Sequence, residues 1–196
     1  MAKPGLRGCL RRFARERDGV SAVEFALILP FMLTLYLGGS ELGDGMAIQF
    51  KATLAARTVA DLATQYTNIP DTTTMNQIIA AASTVATPYA TANMTVTVSE
   101  LKLNGSATGS VIWSASNSGN GRAVNSTFPL PTAMQSLATP TNPVYLILGE
   151  VTYPYTPAMG YAITGTINIY EDVVFSPRLA SCVLYTINGT RTPPSC

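Results

Sequence analysis

From Val20 to Ser40 the chain is apolar at almost every position and carries one charge, Glu24. Those 21 positions would span roughly 31 Å as a helix, close to the hydrocarbon thickness of a bilayer. The pattern then changes period. Met46, Phe50, Leu54, Leu62 and Tyr66 recur at multiples of four, with Ala47, Ala55, Val59 and Ala63 in the adjoining row and Gln49, Arg57, Asp61 and Gln65 opposite. This predicts an amphipathic helix to about Gln65, its large apolar stripe laid on a folded domain rather than on lipid. Gly38, Gly39, Gly43 and Gly45 loosen the junction, so a break at Gly43–Gly45 and one continuous kinked helix are both compatible with the pattern. Asn68-Ile69-Pro70 ends the helix, and Asp71 or Thr72 caps a second one whose apolar face is Met75, Ile78, Ile79, Ala82 and Ala86.

Beyond Ala92 the texture becomes that of strands. Met94, Val96 and Val98 alternate with Thr95, Thr97 and Ser99, and Leu101 and Leu103 follow in the opposite phase, which predicts a bulge near Ser99–Glu100. Asn104-Gly105 turns the chain and Val111-Ile112-Trp113 begins the return. Asn117 to Gly121 reads as a flexible loop at an exposed tip, and Phe128 to Leu137 as a place for a short helix between prolines. The nearly continuous apolar run Val144 to Val151 is expected to be a central strand. Tyr161 to Phe175 is expected to be another, with Ile163, Ile167 and Ile169 on one face, and Cys182 to Ile187 an edge strand before the Asn188-Gly189 turn. The fold class is therefore α+β: a single N-terminal transmembrane helix running into an amphipathic helix, a second helix, then an antiparallel sheet. The domains are a basic cytoplasmic leader, 1–19, a transmembrane helix, 20–43, and an extracytoplasmic α+β domain, 44–196.

Charge gives this plan a direction. Six of the 12 basic residues (Lys3, Arg7, Arg11, Arg12, Arg15 and Arg17) precede Gly19, leaving six basic and nine acidic groups beyond it. Basic residues flanking the apolar run hold that end in the cytoplasm, so the remainder is expected in the periplasm or outside the cell. A mildly acidic folded part does not suit a nucleic-acid partner. An ordinary secretory signal cleaved near Gly39 or Ser40 is the alternative, but its core would not normally hold a carboxylate. Glu24 near the edge of a span either sits hydrated at the interface or pairs with a cation within an assembly. A free amine at residue 20, left by cleavage after Gly19, is one such cation.

The run Gly19-Val20-Ser21-Ala22-Val23-Glu24-Phe25 resembles the prepilin peptidase motif of type IV pilins. Extended through Ala26-Leu27-Ile28-Leu29-Pro30, it is more closely similar to the N-terminus of TadE-like proteins, the pseudopilins or minor pilins of the tight-adherence (Flp, type IVb) pilus system. Weaker echoes occur at Glu150 to Pro157 and at Phe175-Ser176-Pro177-Arg178. The resemblance implies a pilin-like plan, cleavage between Gly19 and Val20 by a membrane prepilin peptidase, and Glu24 as the recognition and assembly carboxylate. It also implies an aromatic packing role for Phe25 and a helix kink at Pro30. The partners it implies are the bacterial inner membrane, the prepilin peptidase, other Tad pilus subunits and the assembly platform. An uncleaved, membrane-anchored periplasmic binding or scaffold protein is the alternative.

Catalytic chemistry finds little support. There is no histidine, which removes the commonest general base and metal ligand. The three cysteines are too scattered for a zinc site, and no cofactor is expected. If the C-terminal part is extracytoplasmic, Cys182 and Cys196 are expected to form a disulfide, two free thiols being the alternative. Glu150, Glu171 and Asp172 read as strand-end surface charges before they read as a carboxylate pair or calcium site. Tyr153, Tyr155, Tyr161, Tyr170 and Trp113 read as sheet packing before a glycan or partner surface. Arg178 is a candidate partner for Glu171 or for a neighbouring subunit.

Overall fold

In the computed structural model, the described residues are 18–119, 121–157, 165–187 and 189–193. The chain divides into two compact units, residues 1–44 with 157–164, and residues 45–156 with 165–196. Helix α1, Asp18–Thr64, contains Pro30 and all four junction glycines, so the continuous form of the expected helix is the one adopted.

In the first unit, α1 carries its large apolar side chains exposed on every side, from Val20 through Phe25, Leu27, Phe31 and Leu35. A helix that is apolar all round and unburied has lipid as its natural solvent, and this one is long and apolar enough to cross a membrane.

In the second unit, the short strand β1 (Asn68–Ile69) separates α1 from helix α2, Thr72–Val85. Helix α2 is capped as expected by Asp71, whose Oδ1 accepts the Thr74 N–H at 2.7 Å. That bond and the Thr73 N–H hold the Asp71 carboxyl below its usual range. The main sheet follows, built from β2 (Thr95–Leu103), β3 (Thr108–Ser116), β4 (Thr127–Pro129), β5 (Val144–Tyr155) and β6 (Ile167–Phe175). It is antiparallel, in the order β4-β3-β2-β5-β6. The strand expected from Tyr161 begins at Ile167, while Tyr161 and Ile163 lie outside the described residues. The short helix expected between prolines is α3, Thr132–Gln135. A second, smaller sheet joins β1 in parallel to β7 (Leu184–Ile187), which pairs antiparallel with β8 (Thr190–Thr192). The edge strand expected at the C-terminus thus belongs to its own sheet.

One face of the main sheet packs on α1 and α2. Its core includes Val96, Val98, Trp113, Ile147 and Val151 against Ala55, Ala56, Val59, Ala60, Met75 and Ile79. The helix side of this contact is the row of small residues. Of the larger row expected to pack, Met46, Phe50 and Leu54 are exposed, while Leu62 and Tyr66 pack against the core. The reason is the close approach at Gly149: a Cβ there would stand 2.4 Å from the Ala56 carbonyl oxygen and 3.0 Å from Val59 and Ala60. Only alanine and valine let the helix backbone come that near the strand.

The opposite face holds a second apolar cluster of Leu101, Leu103, Val111, Phe128, Leu130, Leu146 and Leu148. This explains the phase change read along β2. Residues 95–103 pair with β5 without a slip, so Val96, Val98 and Glu100 share the helix-side face while Ser99, Leu101 and Leu103 share the other. The bulge does exist at Glu100/Leu101, but the extra residue is Ile112 on β3, between partners Trp113 and Val111. Two cores on two faces, rather than a twist of one strand, reverse the alternation.

Substituting Gly149 with alanine is expected to destabilise this unit by roughly 3 kcal/mol, because a backbone carbonyl rather than a mobile side chain blocks the new methyl. Thermal unfolding of the detergent-solubilised protein measures it, and an unchanged midpoint would show that α1 shifts freely off the sheet.

Candidate functional site

The residues singled out for processing and assembly lie in the opening turns of α1. Gly19 and Val20 stand at its start, directly after the leader, most of which lies outside the described residues. Glu24 follows Val20 by four positions and so lies on the same helix face, about 6 Å further along the axis. It is exposed among apolar neighbours that are also exposed, Val23, Phe25 and Ile28. Phe25 has two thirds of its surface open, 65 %. A carboxylate held on such a surface costs about 2.5–3.5 kcal/mol at a span's centre and less toward its edge, so a cation that pairs with it gains most inside the bilayer. Pro30 has no N–H to give to the preceding turn. The next turn has its own side-chain bond, Thr34 Oγ1 donating to the Pro30 carbonyl at 2.8 Å.

The second unit presents a polar cluster that the sequence pattern did not single out. It lies on the sheet face away from the helices. Arg122, on the loop after β3, donates from Nε to Glu150 Oε2 at 2.6 Å and from Nη2 to Oε1 at 2.5 Å. Tyr170 Oη donates to the same Oε1 at 2.6 Å. The Arg122 backbone N–H is held by Ser114 Oγ at 2.8 Å, and the guanidinium lies over the Phe128 ring at 4.8 Å. Gly121 permits this fold-back, since a Cβ there would meet Ser114 Oγ at 2.7 Å. The loop expected to form a free tip therefore returns along β3. Asn117 also ties it down, donating to the Met94 carbonyl at 2.7 Å and accepting the Val96 N–H at 2.9 Å.

Glu150 is thus a buried acid in a bidentate pair, not the strand-end surface charge expected of it. The pair raises the Arg122 guanidinium further above its usual range. Burial, then the Glu150 hydrogen bond and charge, pushes the Tyr170 hydroxyl above the ordinary tyrosine range. Asp172, the register partner of Glu150, is raised by partial burial and then by the charges of Glu150 and Glu171, with Arg122 opposing. Arg122, Phe128, Leu130, Tyr170 and Asp172 border an open depression of about 540 Å³. Glu150 cannot act there as a base, because its oxygens already accept three hydrogen bonds. Glu171 faces the other way, accepting from Gln49 Nε2 and Thr53 Oγ1, each at 3.0 Å. The three acids therefore do not converge, and among the described residues no group of three His, Cys, Asp or Glu side chains does.

Arg178 pairs with Asp61 of α1 rather than with Glu171. The aromatic set is dispersed: Trp113 and Tyr155 are buried, Tyr153 is half-buried and Tyr170 is exposed, while Tyr161 lies outside the described residues. Cys182 is buried and disulfide-bonded; its expected partner, Cys196, lies outside the described residues.

Fold and surface together define a class: an α+β protein of two units whose N-terminal helix is suited to crossing a membrane. Residues 19–61 match the family model described as TadE-like protein, and over that stretch the chain is similar to that family. No curated protein and no solved structure matches the chain.

Replacing Arg122 by methionine should cost about 3 kcal/mol, because Glu150 would keep its burial and lose its cation. The Arg122→Met/Glu150→Leu double variant should recover most of that loss. Urea unfolding of the wild type, the double variant and both single variants, Glu150→Leu included, tests it, and additive losses would mean the pair is not coupled.

Proposed function

We propose that this chain is a membrane-anchored pseudopilin or minor pilin that serves assembly of the tight-adherence pilus. The TadE-like match over residues 19–61 carries the reading. Three further features support it. The leader is basic, which favours an N-terminus in the cytoplasm and a C-terminal domain in the periplasm of a bacterial inner-membrane protein. The helix bears Glu24 on a bare apolar surface, where a neighbouring amine is its best partner. The row Met46, Phe50 and Leu54 leaves an apolar helix face open beyond the span, available to other helices of an assembly.

In this reading the chain is the substrate of a prepilin peptidase rather than an enzyme itself. Cleavage between Gly19 and Val20 creates an amine one helical turn from Glu24. Within a bundle of such helices, the amine of one subunit and Glu24 of the next neutralise each other, and Phe25 packs beside them. The helix then leaves lipid for a protein surface without stranding a charge.

Intact mass and N-terminal sequencing of protein from membranes and from sheared pili test the processing step. A chain beginning at Val20 is expected. One that keeps Met1 or Ala2 would shift the reading to an uncleaved periplasmic binding or scaffold protein, with the Arg122–Tyr170–Asp172 depression as its open surface. Glu24→Ala is expected to leave membrane insertion intact and to reduce surface pili severalfold; unchanged piliation would remove Glu24 from assembly.

A further inference from the structure

Among the described residues, Glu100 is the one acid in the helix-side core. It is fully buried on β2, beside Val98, Trp113 and Ile147. Its Oε1 accepts the Val183 N–H at 2.7 Å, and its Oε2 has no partner among the described residues. Trp113 Nε1 donates to the carbonyl of the same residue, Val183, at 2.8 Å, and its ring meets Tyr185 edge-on at 5.4 Å. Two core side chains thus clamp both backbone groups of Val183. On one side of Val183 is disulfide-bonded Cys182; on the other begins β7. The sheet holding β7 is small, since its parallel partner β1 contributes two residues.

A carboxylate in this place accepts one hydrogen bond, from Val183, with the Trp113 N–H nearby but donating to the Val183 carbonyl, and among the described residues it has no cation beside it. We propose that Glu100 is a proton-controlled latch on the C-terminal segment: as a neutral acid it holds Val183, and on losing its proton it drives residues 182–187 off the core. An ionised carboxylate without a counter-charge is far costlier to bury than the few backbone bonds that β7 makes. The lowest-cost route to water is to lift the segment above it.

The groups around Glu100 leave this balance undisturbed. The C-terminal segment contributes Tyr185, whose hydroxyl is raised by burial and by the Asp71 charge, and so stays neutral. Lys102, two residues along β2, sits over the Tyr145 ring instead. Trp113 of β3 and Ile147 of β5 carry no charge. Burial dominates and pushes Glu100 up to about 8, with the Val183 and Trp113 N–H groups pulling the other way. The closed form therefore binds a proton that the open form releases at the ordinary value of 4.5. Closure is strongest below that value. It weakens as pH rises, and the loss is complete at about 8.

The test is limited trypsinolysis of the full-length, oxidised protein in detergent, scoring the cut after Arg191 against the Glu100→Gln variant at each pH. The glutamine amide would keep the acceptor and remove the charge. The wild-type rate is expected to rise up to tenfold per pH unit between about 5 and 8, then to level off, relative to a flat variant. Equal pH profiles would overturn the latch. Should the variant not fold, the chain's single tryptophan, Trp113, reports on the wild type alone. An emission shift that develops between about pH 5 and 8 and is complete by about 8 supports the proposal, and a constant emission up to about pH 10 overturns it.

Discussion

The contact on which the second unit depends is backbone against backbone: residues 56–60 of α1 on Gly149 of β5. It sets the distance between helix and sheet and so decides which helix face turns inward. At that spacing the residues beside Gly149 are small, and the helix buries Ala52, Ala55, Ala56, Val59, Ala60 and Ala63, with Ile48 further along. Met46, Phe50 and Leu54 are left outside by the same constraint. Burying them would recover on the order of 2 kcal/mol per side chain, but would force the helix away from β5 along its whole length. Close packing along the whole helix outweighs three large side chains, and the open apolar face is its by-product.

The sheet has two faces with different work. The helix-side face makes the main core. The other is apolar at one end, beneath Phe128 and Leu130, and polar beyond it, where Ser99 and Ser114 share a hydroxyl bond at 2.8 Å and Arg122 grips Glu150. The Arg122–Glu150 pair belongs with these as a fastener. It pins the returning loop across β3, β2 and β5 and draws in Tyr170 from β6. A charge pair of this kind is a modest source of stability compared with apolar packing, but strongly specific about where the loop lies.

Much of this was legible in sequence. The apolar run, the second helix with its Asp71 cap, the central strand at Val144–Val151 and the TadE-like N-terminus follow from local pattern. What escaped was set by distance in sequence. Nothing near Met46 or Phe50 announces Gly149, far along the chain, so hydrophobic size pointed inward rightly at Leu62 and Tyr66 but wrongly at Met46, Phe50 and Leu54. Arg122 sits in a Gly- and Asn-rich stretch that reads as a free tip, and its partner Glu150 closes an apolar strand. Glu100 left a readable trace: it continues the even-numbered series Met94, Val96, Val98 into the core. The opposite series Leu101 and Leu103 marks the second core, and the bulge that the phase change predicts lies at the same level on β3.

Glu100 and Glu24 show how the same side chain is placed in two different solvents. Glu24 stands on a bare helix suited to lipid surroundings, where the proposed assembly would bring it an amine from another chain. Glu100 stands in a protein core whose neighbours are neutral, where the proton itself is the partner. Neither acid strengthens the fold by being charged. A leucine at either position would be simpler to bury, and in the proposed roles each acid instead makes one arrangement conditional: the helix on a neighbouring amine, the C-terminal segment on a bound proton. That conditional character separates both acids from Glu150, which is satisfied within its own unit and holds its loop by two hydrogen bonds from Arg122.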